Sequence, residues 1–305
     1  MQLHLPIAEM SVSAEIIFLV SAFVGFLSGV FGIGGGFLTT PFLIFSGIPP
    51  GVAVGTQASQ LVASSVSGAI GHWRRNNVDI KMGLVMLAGG ILGSFVGIMI
   101  FKLLTYMGQV DFAISFIYVV LLSSIGIMML TESIFTKFFK KKNVRQEFNA
   151  LKTSAFINAL PYKMRFPRSK LFISALVPGG IGFVGGILAS VLGIGGGFLL
   201  VPAMIYILGM PTLLVAGTSL FQIIFTTASA TIMHAVFNNT VDMVLALILI
   251  AGGVIGAQIG ISVARHVKPS HARLIMAIMV LLVAAQLSFN LFIEPSELFS
   301  TVVRL

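Results

Sequence analysis

Eight long apolar runs, near residues 16–31, 53–71, 82–101, 112–131, 171–192, 213–237, 243–264 and 274–293, are separated by polar or glycine- and proline-bearing breaks. Most approach the roughly 20 residues that a helix needs to cross a bilayer. Two shorter apolar segments, about 37–47 and 198–209, follow glycine runs and stop at Gly47-Ile48-Pro49-Pro50 and Gly209-Met210-Pro211. At about 1.5 Å per residue these give only about 16 to 18 Å of helix, so they cross only if neighbouring protein covers their ends. The pattern predicts an all-α polytopic membrane protein of about ten helical segments, eight long and two short.

The runs form two similar sets. Gly-Ile-Gly-Gly-Gly-Phe-Leu-x-x-Pro spans Gly32 to Pro41 and again Gly193 to Pro202, and the likeness continues beyond it with an offset that grows from 161 to 163. Gly55-Thr56 with Gln60 returns as Gly217-Thr218 with Gln222, His72 as His234, Asn76-Asn77 as Asn238-Asn239, and Ala88-Gly89-Gly90 as Ala251-Gly252-Gly253. The expected organisation is a first transmembrane repeat over 1–136, a basic linker over 137–170 and a second repeat over 171–305.

Charge orients the two sets. Ten of the 18 Lys and Arg lie in 137–170; Arg74, Arg75 and Lys81 follow the second long run, and Arg265, Lys268 and Arg273 follow the seventh. The positive-inside rule makes all three loops cytoplasmic. The loop after His234, equivalent to that of Arg74 and Arg75, has no basic residue, so parallel repeats would turn one basic loop outward. Inverted repeats satisfy all three, with both termini outside; Glu9, Glu15, Glu294 and Glu297 suit that side. Inversion needs five passes per half, so the short segments must cross. If they instead turn back as re-entrant hairpins, the repeats are parallel. A first run lacking a basic start and a cleavage site reads as an uncleaved helix rather than a signal peptide.

Composition narrows the function. The chain is 57% hydrophobic and 9% charged, with a mean hydropathy of +1.06, against about 25% charged residues in soluble domains. The net charge of +9 is explained by topology and contact with anionic lipid, so no nucleic-acid partner is expected. The absence of cysteine removes thiolate chemistry, and no His, Asp or Glu cluster falls at membrane depth. No cofactor, metal or catalytic residue is therefore expected, and a membrane-embedded enzyme is disfavoured.

The glycine runs are candidate helix breaks. Glycine tolerates unusual torsions and close approach, and the amides of Gly34, Gly35, Gly36 and Phe37, with those of Gly195, Gly196, Gly197 and Phe198, would open a helix N-terminus suited to an anion. Inverted repeats bring two such ends together near the midplane. Thr56, Gln60, Ser64 and Ser67 share one helical face, as do Thr218, Gln222, Thr226 and Ser229. Of these, Thr56, Gln60, Thr218 and Gln222 are candidates to complete an anion shell, with Gln57 and Ser219 beside them. His72 and His234 are candidate gates or points of proton access; interfacial anchoring is the plainer reading. Asp79 and Asp242 read as helix caps, and the ladders Gly89-Gly93-Gly97 and Gly252-Gly256-Gly260 as helix contacts. The lack of a mid-span carboxylate favours export, since a negative interior contributes about 2.3 kcal/mol per charge per 100 mV to an anion leaving.

These residues, above all the paired glycine motif and Gly-Thr-x-x-x-Gln at 55–60 and 217–222, resemble the TauE/SafE family of bacterial sulfite exporters and anion permeases. The resemblance implies a small sulfur-containing or organic anion, sulfite or a sulfonate, as substrate of a transporter in the bacterial inner membrane. Anion uptake and a passive channel are the alternatives, and a homodimer is compatible with either.

Overall fold

The computed structural model describes residues 2–31, 35–138, 160–263 and 269–292. Gly34, most of the linker, and Arg265, Lys268, Glu294 and Glu297 lie outside them. A hairpin of β1 (Gln2–Leu5) and β2 (Met10–Ser13) precedes α1 (Ala14–Phe31), α2 (Gly36–Phe45), α3 (Pro50–Trp73), α4 (Ile80–Tyr106) and α5 (Val110–Phe138). A second hairpin, β3 (Lys163–Phe166) and β4 (Leu171–Ser174), precedes α6 (Leu176–Leu192), α7 (Gly197–Tyr206), α8 (Thr212–Met233), a π-helical turn at His234–Asn238, α9 (Met243–Val263) and α10 (Pro269–Phe292). Among the described residues there are thus eight long helices and two of ten residues.

The hairpins extend the duplication. Gln2 pairs with Ser13 and Leu5 with Met10, and Lys163 with Ser174 and Phe166 with Leu171, in the same antiparallel register. Leu5 and Phe166 are both fully buried. The second hairpin straddles the boundary expected at residue 170, and the run expected to be helical from 171 begins as a strand. Two four-residue strands leave no apolar periodicity long enough to register.

Contacts between helices show the inversion. Next to α3, the notional Cβ of Gly68 lies 2.9 Å from Leu220 of α8, that of Gly217 2.9 Å from His72, and that of Gly55 2.6 Å from Thr240. The start of α3 therefore meets the end of α8, and its end meets the start, so these equivalent helices are antiparallel. Within the first half α1 and α3 run together: Gln60 donates to Ser21 at 3.0 Å, and Ser28 and Gly29 share a cavity with Ser64 and Gly68. The chain must therefore come back between them.

That return combines the glycine run and the short helix. A Cβ on Gly35 would touch Val24 and Ser28, before the end of α1, while Leu43 near the end of α2 clusters with Ile17 at the start of α1, Leu5 of β1 and Leu249 of α9. In the second half Gly196 lies against Gly185, seven residues before the end of α6, or about 10 Å back along the axis. Gly193, Gly195 and Gly196 make this reversal with φ of 69°, 72° and 73°, torsions that L side chains rarely adopt.

Two close helix pairs flank the centre. Gly252, Gly256 and Gly260 of α9 meet Phe18, Ala22 and Phe26 of α1, and Gly89, Gly93 and Gly97 of α4 meet Gly179, Phe183 and Ile187 of α6. Missing Cβ atoms let the backbones touch, as expected for small-residue ladders. Among the described residues five stretches are long and apolar enough to span a membrane: Ile80–Tyr106, Val110–Thr131, Leu213–Asn238, Met243–Val263 and Leu274–Leu291. Helix α3 is more polar because most of its first half is enclosed by protein. All the basic residues described in the α3–α4 turn and the second hairpin lie at one end, where Lys81 donates to the Arg165 carbonyl at 2.9 Å.

The offsets also have structural causes. One extra residue lies in the turn after α7, between Tyr206 and Pro211, and another in the π-helical turn; a single inserted residue is the usual origin of a π turn. Asn76 and Asn239 both adopt left-handed torsions, φ 56° and 51°. Asn239 is therefore the structural partner of Asn76, one position later than the sequence pairing suggested.

Candidate functional site

The short helices point their N-termini towards each other in mid-bundle. Phe37 in the first turn of α2 stacks on Phe198 in that of α7, ring centroids 4.5 Å apart and planes 11° from parallel. A Cβ on Gly36 would lie 2.7 Å from the Gly193 carbonyl oxygen and from Leu61. Both helices are capped by glycine without a side-chain bond, Gly35 and Gly196. Intrahelical bonding leaves the amides of Gly36 and Phe37, and of Gly197 and Phe198, without acceptors inside their helices. With the dipoles aligned, two partial positive ends converge there. Phe37, Phe198, Leu61, Ile223 and Ile194 are all at most 2% exposed, so the centre is closed.

Polar groups neighbour Leu61 and Ile223 along α3 and α8. In the first half Gln57 donates to Gln60, whose amide donates to Ser21; Ser21 in turn donates to the Leu249 carbonyl at 2.6 Å. In the second half the equivalent of Ser21 is Gly182, and Gln222 donates instead to Thr226 on its own helix at 2.8 Å. Each glutamine lies over a glycine of another helix, Gln60 over Gly253 and Gln222 over Gly90. The Gln57 and Gln222 amide oxygens and the Ser65 hydroxyl are buried without a partner. Unpaired buried polar atoms are costly, and a polar ligand would relieve that cost. Amide oxygen and nitrogen are interchangeable assignments, and turning Gln222 would put its NH₂ where the unpartnered oxygen lies. Ser219 bonds back to the Ala216 carbonyl.

The two threonines are placed elsewhere. Thr56 accepts from the Asp242 amide at 3.0 Å, and Thr218 accepts from the Asp79 amide at 2.9 Å. The glycine before each gives room for the opposite half's turn: a Cβ on Gly55 would strike Thr240, and one on Gly217 would lie 2.2 Å from the Asn77 carbonyl oxygen. Gly-Thr is thus a socket by which each half holds the other. Asp79 and Asp242 cap α4 and α9 through Met82 and through Val244 and Leu245. Their second oxygens accept from Ser169 and Ile7 in the hairpins. Both carboxylates are engaged, as the capping reading required.

The histidines differ. His234 is fully buried, its Nε2 2.7 Å from the Ser190 carbonyl oxygen and its Nδ1 3.2 Å from Asn238 and 3.3 Å from Thr240. Phe101 meets its ring edge-on at 4.8 Å. His72 is partly exposed, and its buried Nδ1 has no partner. It lines a cavity of about 10 Å³ with Ser28, Ser64, Gly68 and Leu220, next to the start of α2. Ser21 and Ser28, seven apart on α1, were not singled out in the sequence; their helical spacing on one face was the available signal. Among the described residues no group of three or more His, Asp or Glu is placed to hold a metal.

The family model described as Sulfite exporter TauE/SafE matches residues 17–287. The chain is 26% identical to the Bacillus subtilis "Probable membrane transporter protein YunE", over 91% of this chain and 98% of that protein. It is 29% identical to the same organism's "Probable membrane transporter protein YjnA", over 89% and 97% respectively. A relative from Methanocaldococcus jannaschii, "Probable membrane transporter protein MJ0441", is 24% identical over 86% of this chain and 90% of its own. No solved structure matches. With a duplicated membrane fold, glycine-broken half-helices and a family match over nearly its whole length, the chain belongs to the TauE/SafE sulfite exporter family of membrane transporters, not enzymes.

Proposed function

We propose that the protein exports a small sulfur-containing or organic anion, sulfite or a sulfonate, across the bacterial cytoplasmic membrane by alternating access. The observation that carries this reading is the meeting of two half-helix N-termini from inverted repeats in mid-bundle, with unpartnered polar side chains beside them. The amides of Gly35, Gly36 and Phe37 and of Gly196, Gly197 and Phe198 would bind the anion once Phe37 and Phe198 separate. Gln57, Gln60 and Gln222 would supply neutral donors, which hold an oxyanion without trapping it behind a full charge. Thr56, Thr218 and Ser219 frame the glutamine turns, and the Gly-Thr sockets would be the joints about which the halves rock. The basic end faces the cytoplasm and both termini face outward, by the positive-inside rule.

Direction follows from energetics. Asp79 and Asp242 are held by caps and hairpins, leaving neither free to carry a coupling proton, and the membrane potential alone favours anion exit. The test is sulfite efflux from loaded proteoliposomes under an imposed potential. Saturable efflux with counterflow, lost in the Gln60→Ala, Gln222→Ala double variant, is the expected result. Flux without saturation would make the protein a pore, and flux indifferent to the double variant would displace the site.

A further inference from the structure

A groove of about 470 Å³ runs between the last turns of α3 and α9 at the basic end, lined among others by Val66, Ile70 and Gly71 of α3, by Arg74 that caps that helix, and by Gln258 and Ile261 of α9. Its rim is open to the surroundings of the bundle: Val66 is 38% and Ile70 51% exposed. Gly71 has no atom within 4 Å of its notional Cβ. A glycine inside a helix costs roughly 0.5–1 kcal/mol relative to alanine. No close contact accounts for this one; what it does is leave the groove open.

The inverted counterpart is different. Where this groove has Ala63 and Gly71 of α3 and Gln258 of α9, the equivalent face has Phe225 and Met233 of α8 and Phe95 of α4, and Arg74 falls opposite the apolar Val236 and Phe237. Phe225, Phe95, Val236 and Phe237 are all about half exposed or more, an ordinary lipid-facing surface. One lateral face of the protein is thus filled and apolar, and its twin is hollowed and carries a cation at the interfacial end. Trp73, 52% exposed, sits beside Arg74 at the depth where tryptophans gather near headgroups.

We propose that this groove binds an acidic phospholipid of the leaflet at the basic end. The headgroup phosphate pairs with the Arg74 guanidinium, Gln258 donates to the headgroup esters, and one acyl chain lies along Val66, Ile70 and Ile261. Charge complementarity selects the occupant: an arginine at the end of an apolar lateral groove suits an anion that carries a hydrocarbon chain, and Arg75 adds a second positive charge nearby. The bound lipid stands outside the small cavity of His72, sharing Ile261 as a wall. The proposal rests on the groove and its twin and is independent of which anion is transported.

Trp73 is the only tryptophan in the chain, so its fluorescence reports on this place alone. The protein is reconstituted in phosphatidylcholine with increasing phosphatidylglycerol brominated in its acyl chains, and in the converse mixture with brominated phosphatidylcholine. Brominated phosphatidylglycerol should quench Trp73 at about a fivefold lower mole fraction than brominated phosphatidylcholine, the selectivity expected of one basic side chain at an anionic surface. Arg74→Lys should keep that preference, Arg74→Gln should lose it, and Gly71→Met should reduce quenching by both lipids. Equal quenching in the wild-type protein, or a preference that survives Arg74→Gln, would overturn the proposal. A preference abolished by millimolar soluble alkanesulfonate would assign the groove to a soluble anion and overturn it equally.

Discussion

His72 and His234 occupy equivalent places in inverted repeats, yet one ring is fully bonded and the other borders a small cavity. At His234 both ring nitrogens are engaged, a phenylalanine edge covers the ring, and the inserted π-turn residue brings Asn238 and Thr240 within reach. At His72 the ring faces a cavity and Nδ1 is unpaired. The fold is symmetric and its closure is not. The single residue inserted in the π-helical turn, absent after His72, accompanies the difference between the two rings. In the proposed alternating-access cycle this is a form poised towards the basic end.

The glycine breaks provide the sharpest test of how far the halves differ. Gly196→Ala places a side chain at φ 73° with the Gly185 carbonyl oxygen 2.8 Å away. Left-handed backbone alone costs about 1–2 kcal/mol, and the backbone clash adds to it. Loss of most folded protein, measured as the monodisperse fraction in detergent, is expected. Gly35→Ala, at φ −75° against the movable Val24 side chain, should be milder; equal loss in both would mean that Gly35 takes up the Gly196 torsion.

The Gly-Thr sockets should behave alike, since they are used alike. Thr56→Val and Thr218→Val each leave a buried aspartate amide without its acceptor, a loss of about 1–3 kcal/mol. Thermal unfolding in detergent should show similar drops for the two, and a drop in only one would show that the inter-half locks are unequal. The two histidines should then separate. His234→Ala removes hydrogen bonds worth about 1 kcal/mol each, which corresponds to about a five- to tenfold rise in accessibility of a cysteine placed at Ser190. His72→Ala should leave labelling at the basic end within about twofold, because its ring holds little closed.

Much of this arrangement was legible in the chain. Eight long helices, two short ones, the inversion and the capping aspartates follow from apolar run length, the glycine repeat and the placement of Arg and Lys. Each of those signals is local or additive along the sequence. The hairpins escaped because four-residue strands have no period to read and one lies in a basic stretch that looked like linker. Thr56 and Thr218 sit on the same face as the glutamines, but their hydroxyls belong to the opposite half, and helical spacing says nothing about which partner comes to a face. The same holds for Phe37 on Phe198: the motif placed both at helix starts, and only the assembled inversion put one ring on the other. The groove of Gly71 needed the twin surface for comparison before its emptiness meant anything.

Because the chain has no cysteine, single cysteines placed at Ser64 and Ser190 can be read without a background. Labelling by a membrane-impermeant thiol reagent, from each side of sealed vesicles and with or without saturating sulfite, tests alternating access between these two ends. Cysteine at Ser64 should react only from the basic end and cysteine at Ser190 should be protected, with sulfite lowering the first and raising the second. Simultaneous reactivity of both sites, each from its own side, or a pattern unmoved by the anion, would contradict the account.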